Sequence, residues 1–242
     1  MNPSSPFALD AFQGNHLLAA LPPSSLQSFS PHLRPTLFHL GTVLFEIGEE
    51  CETVYFLKSG ILSLVLTAAT GVEVEVGMVG REGVVGVLDV LGGNQAMTRC
   101  QVQSVGNGWR LPAEILRQEF ERNVPLRHVL LSYQHSLTAM SAQNVLCNRL
   151  HSVERRLAKW LLLVQDRVQS HELELTHQFI STMLGIRREA VTLALQPLRE
   201  AEIISHRRGH VTILDRAGLE HLACECYPLL KQQFQQQGQE ST

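Results

Sequence analysis

Two arginine pairs carry the densest chemistry in this chain: Arg187-Arg188 in "LGIRREAV" and Arg207-Arg208 in "SHRRGH". Guanidinium groups bind phosphate oxygens through charge-assisted, often bidentate bonds, and they also fit the edges of bases. A second candidate is "GREGVVGVLDVLGG", residues 80–93. Its glycines allow a backbone to close around a phosphate, and they serve equally as tight turns between short strands. A third is the "CEC" of residues 224–226. The five cysteines, Cys51, Cys100, Cys147, Cys224 and Cys226, are otherwise scattered, which argues against a disulfide framework. No second cysteine pair or close histidine set completes a zinc spacing, so the expectation is buried or free thiols and no metal site. His135, His151 and His177 stand apart from one another and read as surface or packing residues. With no persuasive nucleophile–base pair, no Walker loop and no ligand cluster, no catalytic residues are assigned and enzyme function is excluded.

The arginine pairs need elements to aim them. Residues 175–215 read as helix, tight turn, helix and hairpin. Thr176 is a side-chain N-cap, Phe179, Ile180, Met183 and Leu184 give a buried side, and Gly185 takes the turn. The second helix opens at Arg187, Arg188 and Glu189, with Ala190, Val191, Ala194, Leu195 and Leu198 facing inward. Pro197 is expected to kink or shorten it. Ile203, Ile204, Val211 and Ile213 then flank the basic turn His206–His210. This is the layout of a winged helix-turn-helix, whose second helix reads a major groove while the hairpin holds neighbouring phosphates.

Upstream, Gly41–Leu111 shows short apolar runs broken by glycines. Val72, Val74 and Val76 alternate with Glu73 and Glu75, the period-2 pattern of a half-buried strand. Such strands imply a small sandwich or barrel. Past Pro125 a long segment has neither glycine nor proline. Leu126, Leu130, Tyr133, Leu137, Met140, Asn144 and Cys147 follow a heptad seam, read either as packing on the helix's own domain or as pairing with a second copy. A second helix, 152–168, carries Val153, Leu157, Trp160, Leu161 and Val164 on one face.

The whole chain of 242 residues, 44% hydrophobic and 18% charged, fits a two-domain globular protein. No apolar run reaches the roughly 20 residues of a membrane span, and no secretory leader is evident, so the expected location is the cytoplasm, without a membrane partner. Residues 1–125 hold 7 Lys/Arg against 12 Asp/Glu, and residues 126–242 hold 13 against 11. The positive balance of the second part suits an anionic partner.

In this order, the β segment, seam helix and winged motif resemble the Crp/Fnr family of bacterial transcription regulators. Gly41, Leu44, Phe45, Gly48, Glu49, Tyr55, Phe56 and Gly60 match its β-roll pattern, and "LGIRREAV" matches the start of its recognition helix. The resemblance implies an α+β fold: an antiparallel β-roll of the double-stranded β-helix or jelly-roll kind, a long dimerisation helix and a C-terminal winged helix-turn-helix. The corresponding boundaries are 1–122, 123–150 and 151–229, with a flexible polar tail at 230–242. It also implies that Arg188 reads guanine, Glu189 accepts from cytosine and Arg187 adds a phosphate contact. Leu193 stands where the family commonly has a further base-reading arginine. The candidate DNA-binding set is Thr176, Gln178, Arg187, Arg188, Glu189, Thr192, His206, Arg207, Arg208 and His210. "LDRAGLEHLACECY" resembles the ending of a subgroup, and no role is assigned to its two cysteines.

Nucleotide-binding members of that family use Gly-Glu-apolar followed by Arg-Ser-Ala to hold ribose and cyclic phosphate. Matching this chain places Gly86, Val87 and Leu88 on the first element and Met97, Thr98, Arg99 and Cys100 near the second. Val87 lacks the carboxylate and Met97 the guanidinium, so a cyclic nucleotide is disfavoured, and the cassette looks degenerate. An N-terminal iron–sulfur cysteine cluster is missing, and no haem ligand is marked by spacing. The implied partners are double-stranded DNA, a second copy of the chain, RNA polymerase and an unidentified small-molecule effector. The competing reading is a cyclic-nucleotide-type regulatory module acting through a protein partner, which has no need of the basic C-terminal hairpin.

Overall fold

The protein is described here by a computed structural model covering residues 9–236. The chain divides into two compact units. Among the described residues, one holds those up to Leu62, Val79–Leu137 and those from Phe234 on; the other holds Ser63–Met78 and Thr138–Gln233.

Short helices α1 (His16–Ala19) and α2 (Pro23–Phe29) precede eight strands. These are β1 (Arg34–Phe38), β2 (Val43–Phe45), β3 (Thr53–Leu57), β4 (Ile61–Thr67), β5 (Glu73–Val79), β6 (Val84–Val85), β7 (Arg99–Ser104) and β8 (Gly106–Pro112). Helix α3 (Val87–Gly92) stands between β6 and β7, and α4 (Ala113–Arg122) follows β8. In the first unit an antiparallel sheet runs β1-β8-β3-β6, and β2 pairs with β7. The register sets Val54 opposite Leu111 and Phe56 opposite Trp109, so alternate residues of both strands turn into one core. This is the antiparallel β-roll. Gly86 adopts φ 89° immediately before α3, and a Cβ there would stand 3.1 Å from the Cys51 sulfur and 3.2 Å from the Thr53 carbonyl oxygen. The glycine therefore serves a left-handed turn packed against a neighbouring strand.

Strand β5 forms where the valine–glutamate alternation predicts it, but its faces sort differently. Val72 precedes the strand and is exposed, while Glu73, Val74, Glu75 and Val76 are all half-buried. Glu75 turns into the second unit, where it accepts hydrogen bonds from Ser63 Oγ at 2.7 Å and Trp160 Nε1 at 3.0 Å. Polar partners on β4 and on the helix α6 (Val153–Val168) override the period-2 pattern.

Helix α5 (Val124–Leu150) is the uninterrupted segment read from the sequence. Its heptad seam does not face outward. Leu126, Leu130, Tyr133, Met140 and Cys147 are buried within the chain, and Leu137 and Asn144 are half-buried. Of the two readings of this heptad, packing within one protomer is the one this burial favours, because side chains already packed inside one protomer have little free surface to offer a second. The exposed positions on the helix that repeat at four- and three-residue intervals are Leu131, His135, Thr138, Ala142, Val145 and Arg149. Helix α6 is also more enclosed than a one-faced reading implies: Leu157 to Gln165 are buried without a break. Among them Lys159 donates to Asn144 Oδ1 at 2.8 Å, which gives its ammonium a polar partner.

The second unit continues through β9 (Glu172–Glu174), α7 (His177–Leu184), α8 (Arg188–Glu200), β10 (Ile204–Arg207), β11 (His210–Ile213), α9 (Arg216–Leu222) and the greater part of α10 (Cys226–Gln236). Strand β11 lies between β10 and β9 in an antiparallel sheet. Helix α8 runs through Pro197 to Glu200 rather than ending there. The proline is exposed in the last turns, where the carbonyl it leaves unbonded is close to solvent. The expected tail from residue 230 is also corrected. Residues 230–236 are helical because Tyr227 and Leu230 bury one side of α10. Residues 237–242 lie outside the described residues.

Candidate nucleic-acid interface

Local chemistry builds the helix-turn-helix as its sequence demands. Thr176 Oγ1 accepts from the Phe179 amide at 3.1 Å, capping α7. Gly185 ends α7 at φ 61°, the left-handed conformation that glycine adopts at least cost. The turn is then pinned by Ser181 Oγ donating to the Ile186 carbonyl at 2.6 Å, and by Arg156 Nη2 donating to the Leu184 carbonyl at 2.6 Å. Ile180, Met183, Val191, Leu195 and Leu198 are buried between α7, α8 and their surroundings. Each such side chain contributes about 1.5–3 kcal/mol when removed from water.

That packing leaves one face of α8 outward. Arg187 is its extended N-cap, and Arg188, Glu189, Thr192 and Leu193 are exposed along its first two turns. In the β10–β11 hairpin, Gly209 at φ 80° makes the tip, and Arg207, Arg208 and His210 are exposed. Among the described residues, none of the four guanidinium groups at 187, 188, 207 and 208 has a side-chain hydrogen bond or ion pair. Four uncommitted cations on one motif are suited to phosphate oxygens and base acceptors.

The remaining residues of the candidate set divide in role. Thr176 and Gln178 are exposed at the start of α7, with the Thr176 oxygen engaged as a cap. His206 turns away from the exposed arginines and stacks on His177, with ring centroids 4.5 Å apart. Burial, followed by the nearby His177 and Arg199, holds His206 below the usual histidine range. Thr192 Oγ1 lies 3.4 Å from His177 Nδ1, linking α8 to this stack. His177, read as isolated from sequence, thus supports the site from 29 positions before its partner, a separation that carries no periodic signal.

The glycine-rich stretch presents a different picture. Val87 is buried and supplies no carboxylate, while Leu88 and Met97 are exposed. Thr98 and Arg99 are half-buried, and Arg99 Nη2 donates to Gln101 Oε1 at 3.3 Å. Asp89 accepts from the Met97 amide at 2.9 Å, so this carboxylate fastens the intervening loop. Burial holds it above its ordinary range. A buried acid beside the turn is an unfavourable neighbour for a bound phosphate. Arg81 and Glu82 form the turn before it, where Glu82 Oε1 accepts from the Gly80 amide at 3.0 Å.

Away from the arginines, Cys147, His151, Cys224 and Cys226 come together in the second unit. These are metal-ligand types that the sequence spacing did not unite, since Cys224 lies 77 positions after Cys147. One helical signal was present: Cys147 and His151 are four residues apart, on one face of a helix end.

A β-roll, a long helix and a winged helix-turn-helix, in that order, define a class of transcription regulators that join a sensor-type domain to a nucleic-acid-binding motif. The model of the cyclic nucleotide-binding domain matches residues 35–123, and that of the Crp-like helix-turn-helix domain matches residues 155–222. The chain belongs to the Crp/Fnr family, a family of transcription regulators and not of enzymes. It is 26% identical over 198 residues to a global nitrogen regulator of Synechococcus elongatus, covering 75% of this chain and 86% of the relative. It is 27% identical over 192 residues to the global nitrogen regulator of a Nostoc species, covering 73% and 83%. A solved structure of a Crp/Fnr-family regulator from Eubacterium rectale superposes with a TM-score of 0.69 at 22% identity, covering 85% of this chain and 96% of that one. Among the described residues no helix is long and apolar enough to cross a membrane.

Proposed function

We propose that the protein is a homodimeric, sequence-specific DNA-binding regulator acting in the cytoplasm. The observation that carries this reading is the set of four unpaired, exposed arginines at the start of α8 and on the adjoining hairpin. Arg188 reads a guanine edge, Glu189 accepts from a cytosine amino group, and Thr192 and Leu193 face the next bases, Leu193 favouring a thymine methyl. Arg187, Arg207, Arg208 and His210 take phosphates, with Thr176 and Gln178 flanking them. His206 acts by holding His177 and the hairpin rather than by touching DNA.

Two copies pair through the exposed stripe Leu131, His135, Thr138, Ala142, Val145 and Arg149 of α5, a heptad spacing with apolar side chains at 131 and 145. The domain layout is a β-roll to residue 122, the pairing helix to 150 and the winged motif from 151. Ordinary cyclic nucleotides are not the effector, because Val87 and Met97 replace the groups that would hold ribose and phosphate. RNA polymerase is the expected protein partner at a promoter.

The test is recovery of genomic DNA fragments by the full chain, followed by duplex titration with Arg188→Ala. Wild type enriches a near-palindromic sequence, and adding cyclic AMP or cyclic GMP leaves its affinity unchanged. Arg188→Ala weakens binding by about 1–3 kcal/mol per half-site and relaxes preference at one position of each. Equal affinity of both proteins for every sequence refutes the assignment.

A further inference from the structure

Cys147 lies in the last turn of helix α5, in the second unit, and the helical hydrogen bond from the His151 amide to the Cys147 carbonyl, at 3.1 Å, brings His151 over the same face. The chain returns to this point only at the end of the winged motif, where Cys224 and Cys226 bracket the entry to α10. All three cysteines are buried, and only about 6% of the His151 side chain is exposed. Cys147 Sγ and Cys224 Sγ are 3.5 Å apart, and Cys226 Sγ is 3.6 Å from His151 Nδ1. One ligand atom from each of the four residues lies within 4.8 Å of every other.

These distances can be compared with those of a metal centre. Tetrahedral zinc, with Zn–S of about 2.3 Å and Zn–N of about 2.0–2.1 Å, separates two sulfurs by about 3.8 Å and a sulfur from a nitrogen by about 3.6 Å. The set is therefore close to a zinc shell without rearrangement of the backbone. A multi-iron cluster spreads its thiolates further apart. A disulfide would need two of the sulfurs only, and it leaves the third sulfur and the imidazole unexplained.

The surroundings point the same way. His151 turns Nδ1 to the sulfurs, and its Nε2 lies 3.0 Å from Glu225 Oε1. A carboxylate behind the imidazole fixes the tautomer that leaves Nδ1 free to ligate, the arrangement that typically backs metal-bound histidine. Gln143 Nε2 donates to Cys226 Sγ at 3.1 Å, a contact that stabilises a thiolate.

We propose that Cys147, His151, Cys224 and Cys226 form a closed four-ligand zinc site that fastens the end of α5 to the start of α10. Four protein ligands leave no open position, so the site is structural, not catalytic. Binding releases the protons of any thiols still protonated, and no electron transfer is involved. Because the ligands come from both ends of the second unit, the ion closes the segment that contains the winged motif. This assignment does not depend on DNA binding.

The experiment uses the full chain, purified with reductant, stripped with a chelator and titrated with Zn²⁺ and with Co²⁺. The expected result is one equivalent of metal per chain, with intense tetrahedral d–d absorption and sulfur-to-cobalt charge-transfer bands in the Co²⁺ form. Cys224→Ser and Cys226→Ser abolish those bands. Cys100→Ser, a buried cysteine outside the set, retains them. Glu225→Gln keeps all four ligands and weakens metal affinity by about 10–100-fold. Absence of Co²⁺ bands in the folded wild-type protein overturns the proposal without reference to any variant. Isolation with stoichiometric iron and sulfide, or bands that survive in both serine variants, overturns it equally.

Discussion

Glu75 offers a quantitative test of how the second unit is held together. Its carboxylate is enclosed by Ser63 and Trp160, and burial, only partly offset by those two hydrogen bonds and by Arg167 and Lys159, pushes it from 4.5 up to about 7. The folded protein therefore keeps a proton at a pH where the unfolded chain has lost it. Stability from this group is fully present below about pH 4.5, falls as pH rises between 4.5 and about 7, and levels off above that. At 1.36 kcal/mol for each tenfold change, the loss between about pH 5 and pH 8 is roughly 2.5 kcal/mol. Glu75→Gln keeps an acceptor for Trp160, and Ser63 can turn its hydroxyl to match the amide. The variant should lose this part of the pH dependence while remaining folded. Urea unfolding followed by tryptophan fluorescence at the two pH values, wild type against Glu75→Gln, gives the difference directly. Parallel pH dependence in the two proteins refutes the buried, proton-holding carboxylate.

Three further outcomes follow from the same geometry. Arg207→Ala removes two phosphate contacts from a dimer, so the slope of log affinity against log salt should become shallower by about 1.8 for every DNA sequence, measured by fluorescence anisotropy across a salt series; an unchanged slope removes the hairpin from the interface. Gly185→Ala must place a Cβ at φ 61° and 2.8 Å from Val74 Cγ2, and should cost about 1–2 kcal/mol or more in thermal or urea unfolding; equal stability would mean that the turn is not left-handed. Val145→Glu, at a position 73% exposed in the single chain, should convert a dimer to monomer in sedimentation, because burying two facing carboxylates costs several kcal/mol; a dimer that persists would place the pairing face elsewhere.

Much of the helix-turn-helix motif was legible because its signals are local. Thr176 caps the amides next to it, Gly185 takes a conformation glycine alone adopts freely, and the arginines are exposed because the residues between them pack inward. The heptad on α5 was legible as a pattern but not as a destination. A period of 3.5 states which residues share a face, and only the surrounding fold decides whether that face meets its own protomer or another. Glu75 shows the same gap on a strand, where alternation placed the strand and long-range partners chose what it buried. Cys147 and Cys224 mark the furthest limit, since two ligands on one helix face and two at another helix entry form a cluster only after the chain has folded. In the β-roll, the turn at Gly86 was legible from the glycine itself, whereas any comparison of Val87 and Met97 with a nucleotide cassette rests on the resemblance alone.

The central claim is that paired recognition helices read a two-fold operator. Hydroxyl-radical footprinting of the full-length protein on the fragment it enriches tests this most directly. The account predicts two symmetric protected half-sites with centres about 34 Å, one helical turn, or a multiple of it apart, both lost together in Arg188→Ala. A single protected half-site, or uniform protection that does not depend on sequence, would contradict it.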